Sequence, residues 1–287
     1  MITENVLSID LESWVHFYRD IFGANSFKHS SERKSADNGY INSAVNFILK
    51  ILNNCNVKTT FFVLGEIFEW YPDLIHEIKQ VGHEIAYHSH DHMIIKNRRI
   101  LEEQLNKSKI FLNIFEPKGF RAPQILLTRD SVQVLIDWGF EYSSSTYGKF
   151  TKRRKIEGLV EIPVSSFQYF VEPIIPVSFP RQLTPKLIMK EIPFGSGLFF
   201  ALFQSRISYF ITKLEERCEP SILFIHPWQI CQTTEIKNAI FKLKVAFRSP
   251  FALPYTIPIR YAFENVLNRH QFTSFEEIRN GYREILE

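Results

Sequence analysis

Cysteine is scarce in this 287-residue chain: Cys55, Cys218 and Cys231 are odd in number and far apart, and no CxxC pair occurs. That excludes a disulfide framework and a cysteine-ligated zinc site. Long apolar runs are also missing. No stretch of about 20 uninterrupted apolar residues is available to span a bilayer. The opening Met1–Asn5 segment lacks the basic-then-apolar pattern of a secretory signal. The expected location is therefore the cytoplasm, with peripheral contact at the inner membrane face as the furthest departure from it. Charge of one sign is not in excess. The net charge is +3 and the pI about 8.6, too mild for a nucleic-acid partner, which calls for a clustered basic face. Low-complexity tracts, internal repeats and linkers are absent, so one domain over 1–287 is expected.

What is abundant is aromatic and apolar. Hydrophobic residues make up 45% of the chain and there are 27 Phe, enough for a large core and an aromatic-lined cleft. Periodicity and composition predict strands at Val6–Ile9, Lys58–Leu64, Glu84–Tyr87, Gly119–Pro123, Phe140–Tyr142, Leu159–Val164 and Ser221–Ile225. Helices are predicted at Ile41–Leu52, Pro72–Gln80, Asn97–Phe115, Arg129–Trp138, Ser196–Leu214 and Tyr261–Arg269, with a last one from Phe275. A polar loop is expected from Tyr18 to Gly39. Pro173, Pro176, Pro180, Pro185 and Pro193 mark 167–194 as an irregular insertion, and 232–287 reads as a C-terminal helical extension. Alternating strands and helices imply an α/β fold with a mostly parallel sheet and helices outside.

Several predicted strands end in residues that carry chemistry. Asp10 and Glu12 follow the first, His88, His90 and His92 the third, Arg121 the fourth and His226 the last. In a closed α/β barrel such strand ends converge on one face. His88 and His92 are four residues apart, close enough on a helical turn or tight loop to share one ion, with a third ligand to come from elsewhere. His90, turned away by alternation, is not expected to be a ligand. His16 either lines a cleft or fills core. Trp228 either offers a ligand a stacking face or packs the barrel mouth. Ser196–Leu214 is rich in Phe and Leu. It is either buried or, with Phe241–Lys244 and Phe247–Arg248, lies against a membrane surface.

The segments IDLES (Ile9 to Ser13), TTFFVLGE (Thr59 to Glu66), GHEIAYHSHDH (Gly82 to His92), GFRAP (Gly119 to Pro123) and FIHPW (Phe224 to Trp228) together resemble the polysaccharide deacetylases. This is the NodB-homology or carbohydrate esterase family 4 group, and the nearest likeness is to a branch found in exopolysaccharide gene clusters. The resemblance covers roughly residues 5 to 230. It implies a distorted (β/α) barrel of about seven strands, NodB-like, that hydrolyses the N-acetyl group of an N-acetylated saccharide, nucleotide- or lipid-linked, in bacterial surface-glycan biosynthesis. It implies zinc or another divalent transition metal held by Glu12, His88 and His92. Asp10 matches the catalytic base, Arg121 the arginine that holds it, and His226 the general acid. Trp14, His16, Pro123 and Trp228 are expected to line the substrate site.

Two departures are visible. Relatives commonly have Asp where Glu12 stands. At Ser143 they often have an Asp that favours the protonated acid histidine. Hydrolysis of a non-sugar C–N bond, or a catalytically weak barrel that binds glycan, are the competing expectations.

Overall fold

The computed structural model describes residues 4–23, 25–150, 154–156, 158–168 and 179–279. Among the described residues thirteen strands occur in chain order: β1 (Asn5–Leu11), β2 (Thr60–Val63), β3 (Glu84–Tyr87), β4 (Gly119–Phe120), β5 (Tyr142–Ser143), β6 (Tyr147–Gly148), β7 (Arg154–Ile156), β8 (Leu159–Glu161), β9 (Val164–Ser165), β10 (Phe167–Gln168), β11 (Glu191–Ile192), β12 (Ile222–Ile225) and β13 (Phe272–Thr273). Seven run parallel in the order β12-β1-β2-β3-β4-β5-β8; β7 adds antiparallel at one end and β13 pairs beside β1. The result is a curled parallel half-barrel wrapped by helices, a distorted (β/α) barrel with the expected strand number.

Strand alternation decides which side chains reach the barrel interior. In β1, Leu7, Ile9 and Leu11 belong to the outer core shared with the helices, whereas Val6 packs inside with Phe62, Ala86, Tyr142 and Ile222. Asp10 has the parity of Val6, and Glu12, just past the strand, keeps it. By the same rule His88 follows Ala86 inward and His226 follows Phe224 inward. The interior is plugged at its base by Phe275, stacked on Tyr142 with centroids 5.2 Å apart. There Glu84 accepts from Tyr142 Oη at 2.7 Å and from the backbone N–H of Glu276 at 2.8 Å.

The barrel seam lies between β9 and β12 and is bridged by Gly195 and by Ser165 Oγ, which accepts from Ile222 N at 2.8 Å. Gly195 donates its N–H to Ser165 O at 2.9 Å and accepts from Phe224 N at 2.8 Å. A Cβ on Gly195 would lie 2.3 Å from Ile222 O and 2.8 Å from Ser165 N, so only glycine lets the two strands approach this closely.

A serine run after β5 sets the opposite wall. Ser143 pairs in register with Glu161 of β8. The Glu161 Oε1 atom accepts from Ser145 N and from Thr146 Oγ1, both at 2.8 Å, while its Oε2 makes no hydrogen bond. Glu161 is 1% exposed. Burial pushes its carboxyl up, only partly opposed by the nearby serine and threonine donors, to about 7.

Several boundaries differ from expectation. The polar loop from Tyr18 to Gly39 is replaced by α1 (Trp14–Phe22) and α2 (Ser30–Asp37), ahead of α3 (Tyr40–Asn54). α2 has no apolar stripe because the residues it buries are Arg33 and Asp37. The predicted helix Asn97–Phe115 is split at Ser108, and Ser196–Leu214 is split at Gln204. Most of the latter's large side chains, including Leu198, Phe199, Phe200, Ile207 and Ile211, are core, so this helix pair is not a membrane face. The Pro-rich segment holds the β10–β11 pair and a short helix at Pro185–Ile188; Pro173 and Pro176 lie outside the described residues. The C-terminal extension is helical at Thr234–Lys237, Ala239–Arg248 and Arg260–Arg269, but returns a strand, β13, to the sheet.

Two outcomes follow from this architecture. Gly195→Ala forces overpacking against backbone and is expected to lower stability by about 1–3 kcal/mol, read as a drop in denaturation midpoint at constant slope; an unchanged midpoint would show that the seam has slack. Glu161, with its folded pKa above the ordinary 4.5, binds more protons folded than unfolded. Its contribution is therefore full below about pH 4.5 and is lost as pH rises through about 7. Relative to Glu161→Gln, the wild type should lose about 1–3 kcal/mol between pH 5 and pH 8, measured by parallel urea melts. A gap independent of pH would contradict it.

Candidate active site

At the C-terminal rim of the barrel, a cavity of about 400 Å³ is lined by Asp10, Glu12, Asp20, His88, His92 and His226 among others. Asp10 Oδ1 accepts from Arg121 Nη1 at 2.7 Å. That guanidinium has no exposed surface. It also donates to Ser8 Oγ at 2.8 Å, Ser144 O at 3.0 Å and Ser144 Oγ at 2.9 Å, and lies 4.1 Å from the centroid of the Phe62 ring. Planar geometry and a permanent charge suit Arg to fixing one carboxylate in one orientation. The serine run that Glu161 holds is thus what holds Arg121, and Arg121 holds Asp10.

Glu12, His88 and His92 present ligand atoms that all lie within 4.8 Å of one another. The two histidines are brought together by a tight loop, not a helical turn. Ser89 and His92 take φ of 77° and 60°, a left-handed conformation that costs non-glycine residues about 1–2 kcal/mol each. The surroundings supply compensation. Gln104 Oε1 accepts from the N–H groups of His90 and Asp91 at 2.9 and 3.1 Å, and Ser89 O and His90 O accept from Gly65 N and Glu66 N at 3.0 and 2.9 Å. Gly65 has to be glycine, since a Cβ would lie 2.1 Å from Ser108 Oγ. His90 turns away from the cavity, its Nδ1 3.1 Å from Ser108 Oγ.

The imidazoles are oriented through their outer nitrogens. His88 Nδ1 is 2.8 Å from Arg121 O. A carbonyl only accepts, so Nδ1 carries the proton and Nε2 presents its lone pair to the cavity. His92 Nε2 lies 3.4 Å from Glu12 Oε2, and its Nδ1 lies 3.1 Å from Asp20 Oδ2. Burial, helped by the His92 charge and only partly opposed by the Asp10 and Glu12 carboxylates, holds His88 down at about 4. For His92, burial is outweighed by the Glu12 and Asp20 carboxylates, which push it up to about 9. For Glu12, burial is outweighed by His92 and His226, which hold it down at about 2. At neutral pH the cage therefore carries excess negative charge offset by a proton on His92.

His226 stands at the start of the short helix Pro227–Ile230, with Nε2 3.2 Å from Glu12 Oε1. Gln229 Oε1 lies 3.1 Å from both its backbone N and its ring Nδ1, while Gln229 Nε2 donates to Gly197 O at 2.8 Å. The amide's oxygen end therefore faces the imidazole. Nδ1 is the donor, and Nε2 faces the cavity and can carry the exchangeable proton. Gly197 leaves room for this contact, as a Cβ there would lie 2.5 Å from Gln229 Oε1.

Among the residues expected to line a substrate site, only Trp228 borders the cavity. It is 1% exposed and stacked on His226 at 4.4 Å and on Phe17 at 5.3 Å. It packs the mouth and offers no open face. Trp14 is buried edge-on to Tyr18 and Phe27. His16 is fully buried beneath the site, its Nε2 2.8 Å from Glu66 Oε1, where Arg33 also binds. Pro123 is buried and does not border the cavity. These three are scaffold because the helix and loop that carry them face the core.

Sequence reasoning missed Asp20, Gln229, Tyr147 and Tyr255. Tyr255 lies edge-on to His226 with centroids 5.3 Å apart. None of the four belongs to a recognisable motif; Asp20 was hidden because α1 itself was not foreseen.

Residues 35–143 match the family model described as polysaccharide deacetylase. The chain is 32% identical over 116 residues to a peptidoglycan-N-acetylglucosamine deacetylase of Bacillus cereus, covering 39% of this chain and 42% of that protein. It is 39% identical over 56 residues to an uncharacterized 30.6 kDa protein of Geobacillus stearothermophilus, covering 20% of this chain and 21% of that one. The chain thus aligns with less than half the length of these curated relatives. The fold is shared with a crystal structure assigned as a polysaccharide deacetylase from Mycobacterium smegmatis. The TM-score is 0.62 at 18% identity, over 99% of this chain and 92% of that one. Over residues 35–143 the chain is thus similar to the polysaccharide deacetylases, and it shares their fold.

Proposed function

We propose that the chain is a metal-dependent deacetylase that hydrolyses the N-acetyl group of an N-acetylated saccharide in bacterial surface-glycan biosynthesis. The observation that carries this reading is the joining, in one cavity, of a Glu12–His88–His92 cluster with an Arg121-held Asp10 and with His226. The peptidoglycan-N-acetylglucosamine deacetylase similarity supports an acetamido sugar as substrate.

The three cluster residues fit a divalent ion on their own chemistry. Glu12 Oε2 is buried without a hydrogen bond, both histidines present a nitrogen to the same point, and the set of two nitrogens and one oxygen suits zinc with an open position. Glu12, His88 and His92 would hold the ion, which when bound supplies a Lewis acid that polarises the acetamide carbonyl and acidifies water.

The chain's own groups do the rest. Asp10, oriented by Arg121, accepts the proton of the attacking water at its free oxygen Oδ2. His226, in its protonated form, donates from Nε2 to the departing amine nitrogen, so that acetate and the free amino sugar leave. Trp228 and Tyr255 fix the plane of that imidazole. Leu198, Phe224 and Tyr147 give the cavity an apolar wall on which an acetyl methyl can rest.

Elemental analysis of purified protein should find about one divalent transition metal per chain, and none in a His88→Ala, His92→Ala double variant. Acetate release from N-acetylglucosamine oligomers and peptidoglycan fragments should require that metal. Asp10→Asn should lower kcat by about 10²–10⁴ with metal content retained, and His226→Gln should fall in the same range. Metal-replete protein that releases no acetate from any N-acetylated saccharide would overturn the proposal.

A further inference from the structure

The outer face of the helix Ala239–Arg248 is exposed and apolar where the chain could have placed charge. The inner face is ordinary core: Val245 is fully buried, and Phe241 packs against Phe17, Tyr18 and Phe22. On the outer face Ile240 is 65%, Leu243 70% and Phe247 95% exposed. Their spacing of three and four residues puts them in one stripe. Phe251, 65% exposed, follows just beyond the helix end and borders the cavity that holds Asp10 and His226. Lys244 and Arg248, four apart and both exposed, flank the stripe along one side, and exposed Lys237 ends the preceding short helix Thr234–Lys237. None of these three cations forms an ion pair among the described residues.

We infer that this stripe seats the protein on an anionic lipid bilayer. A continuous row of large apolar side chains is unusual on a free surface, where single exposed hydrophobics are the rule. Apolar residues on one stripe with cations beside it are what an interfacial helix uses. The rings and aliphatic chains enter the acyl boundary, and the cations meet anionic headgroups. Among the described residues no helix is long and apolar enough to cross a membrane, so the contact is one of lying on the surface. Because Phe251 belongs to both the stripe and the cavity rim, a seated molecule holds its site open at the headgroup level. Resting on the deacetylase reading above, that assigns the substrate class as an N-acetylated saccharide linked to a lipid.

The test is flotation of the full chain with vesicles of phosphatidylcholine alone and of phosphatidylcholine containing phosphatidylglycerol. Binding is expected to the anionic vesicles only, and to weaken as salt is raised. Leu243→Ser with Phe247→Ser should reduce partitioning by about tenfold or more, and Lys244→Glu with Arg248→Glu should do likewise. These positions are exposed and outside the catalytic machinery, so hydrolysis of a soluble N-acetylated oligosaccharide should be unchanged in both variants. Wild type that fails to float overturns the inference, as do variants that float equally well. So does sedimentation showing a dimer that dissociates on Leu243→Ser, which would make a second copy the occupant. Inactivity of wild type on both soluble and vesicle-borne N-acetylated saccharides with flotation intact would instead count against the deacetylase reading.

Discussion

The Arg121 guanidinium sits wholly inside the barrel, and the rest of the site is arranged around it. A charge in that position costs several kcal/mol unless it is paired and its donors are used. Here Asp10 supplies the countercharge, Ser8 and Ser144 take the other donors, and Phe62 and Phe224 cover the plane. The same residue's backbone oxygen receives His88 Nδ1. Asp10 and His88 are therefore not placed independently: moving Arg121 moves both. The dependence continues outward, since Ser144 is fixed by neighbours that Glu161 holds, and Ser143 lies opposite Glu161 in the sheet.

The two departures from the family pattern have physical answers in this arrangement. Glu12 has one more methylene than Asp, and the extra reach lets its two oxygens face different partners: Oε2 towards His92 at 3.4 Å and Oε1 towards His226 at 3.2 Å. An Asp starting from the same backbone would be too short to serve both. At Ser143 no carboxylate is present, but the outer nitrogen of His226 is already committed to Gln229 Oε1, itself oriented by Gly197 O. A neutral amide fixes tautomer and ring orientation as a carboxylate would. What it omits is the negative charge, so the carboxylate nearest His226 is Glu12 on the cavity side. The balance of charge around His226 is thereby tied to whatever neutralises Glu12.

The parts of the site legible in the sequence share one trait: each follows a strand whose alternation settles its direction. Asp10, Glu12, His88 and His226 keep the parity of the inward residues before them, so identifying the strand was enough to aim the side chain. The unforeseen parts depend on contacts between distant segments. α2 carries no apolar period because it is anchored by Arg33 on Glu66 and by Asp37 on Ser13. The break at Ser108 reflects its bonds to Tyr87 and His90. Strand β13, only Phe272–Thr273, exists because the edge of β1 beside it was open. No local pattern encodes any of these.

Apolar residues show the same limit from the other side. Ser196–Leu214 is the more hydrophobic segment, yet most of its Phe and Leu side chains are consumed by the core. The less apolar Ala239–Arg248 leaves its stripe uncovered. Composition cannot separate the two, because an apolar side chain is satisfied by any dry neighbour, whether protein or lipid. A buried carboxylate or imidazole has few acceptable partners, and those partners must be oriented, so its place in the structure is narrowly determined. That asymmetry is why the chemistry of this protein could be read from its strand ends, while the surface it presents to its surroundings became visible only once the fold had used up the rest.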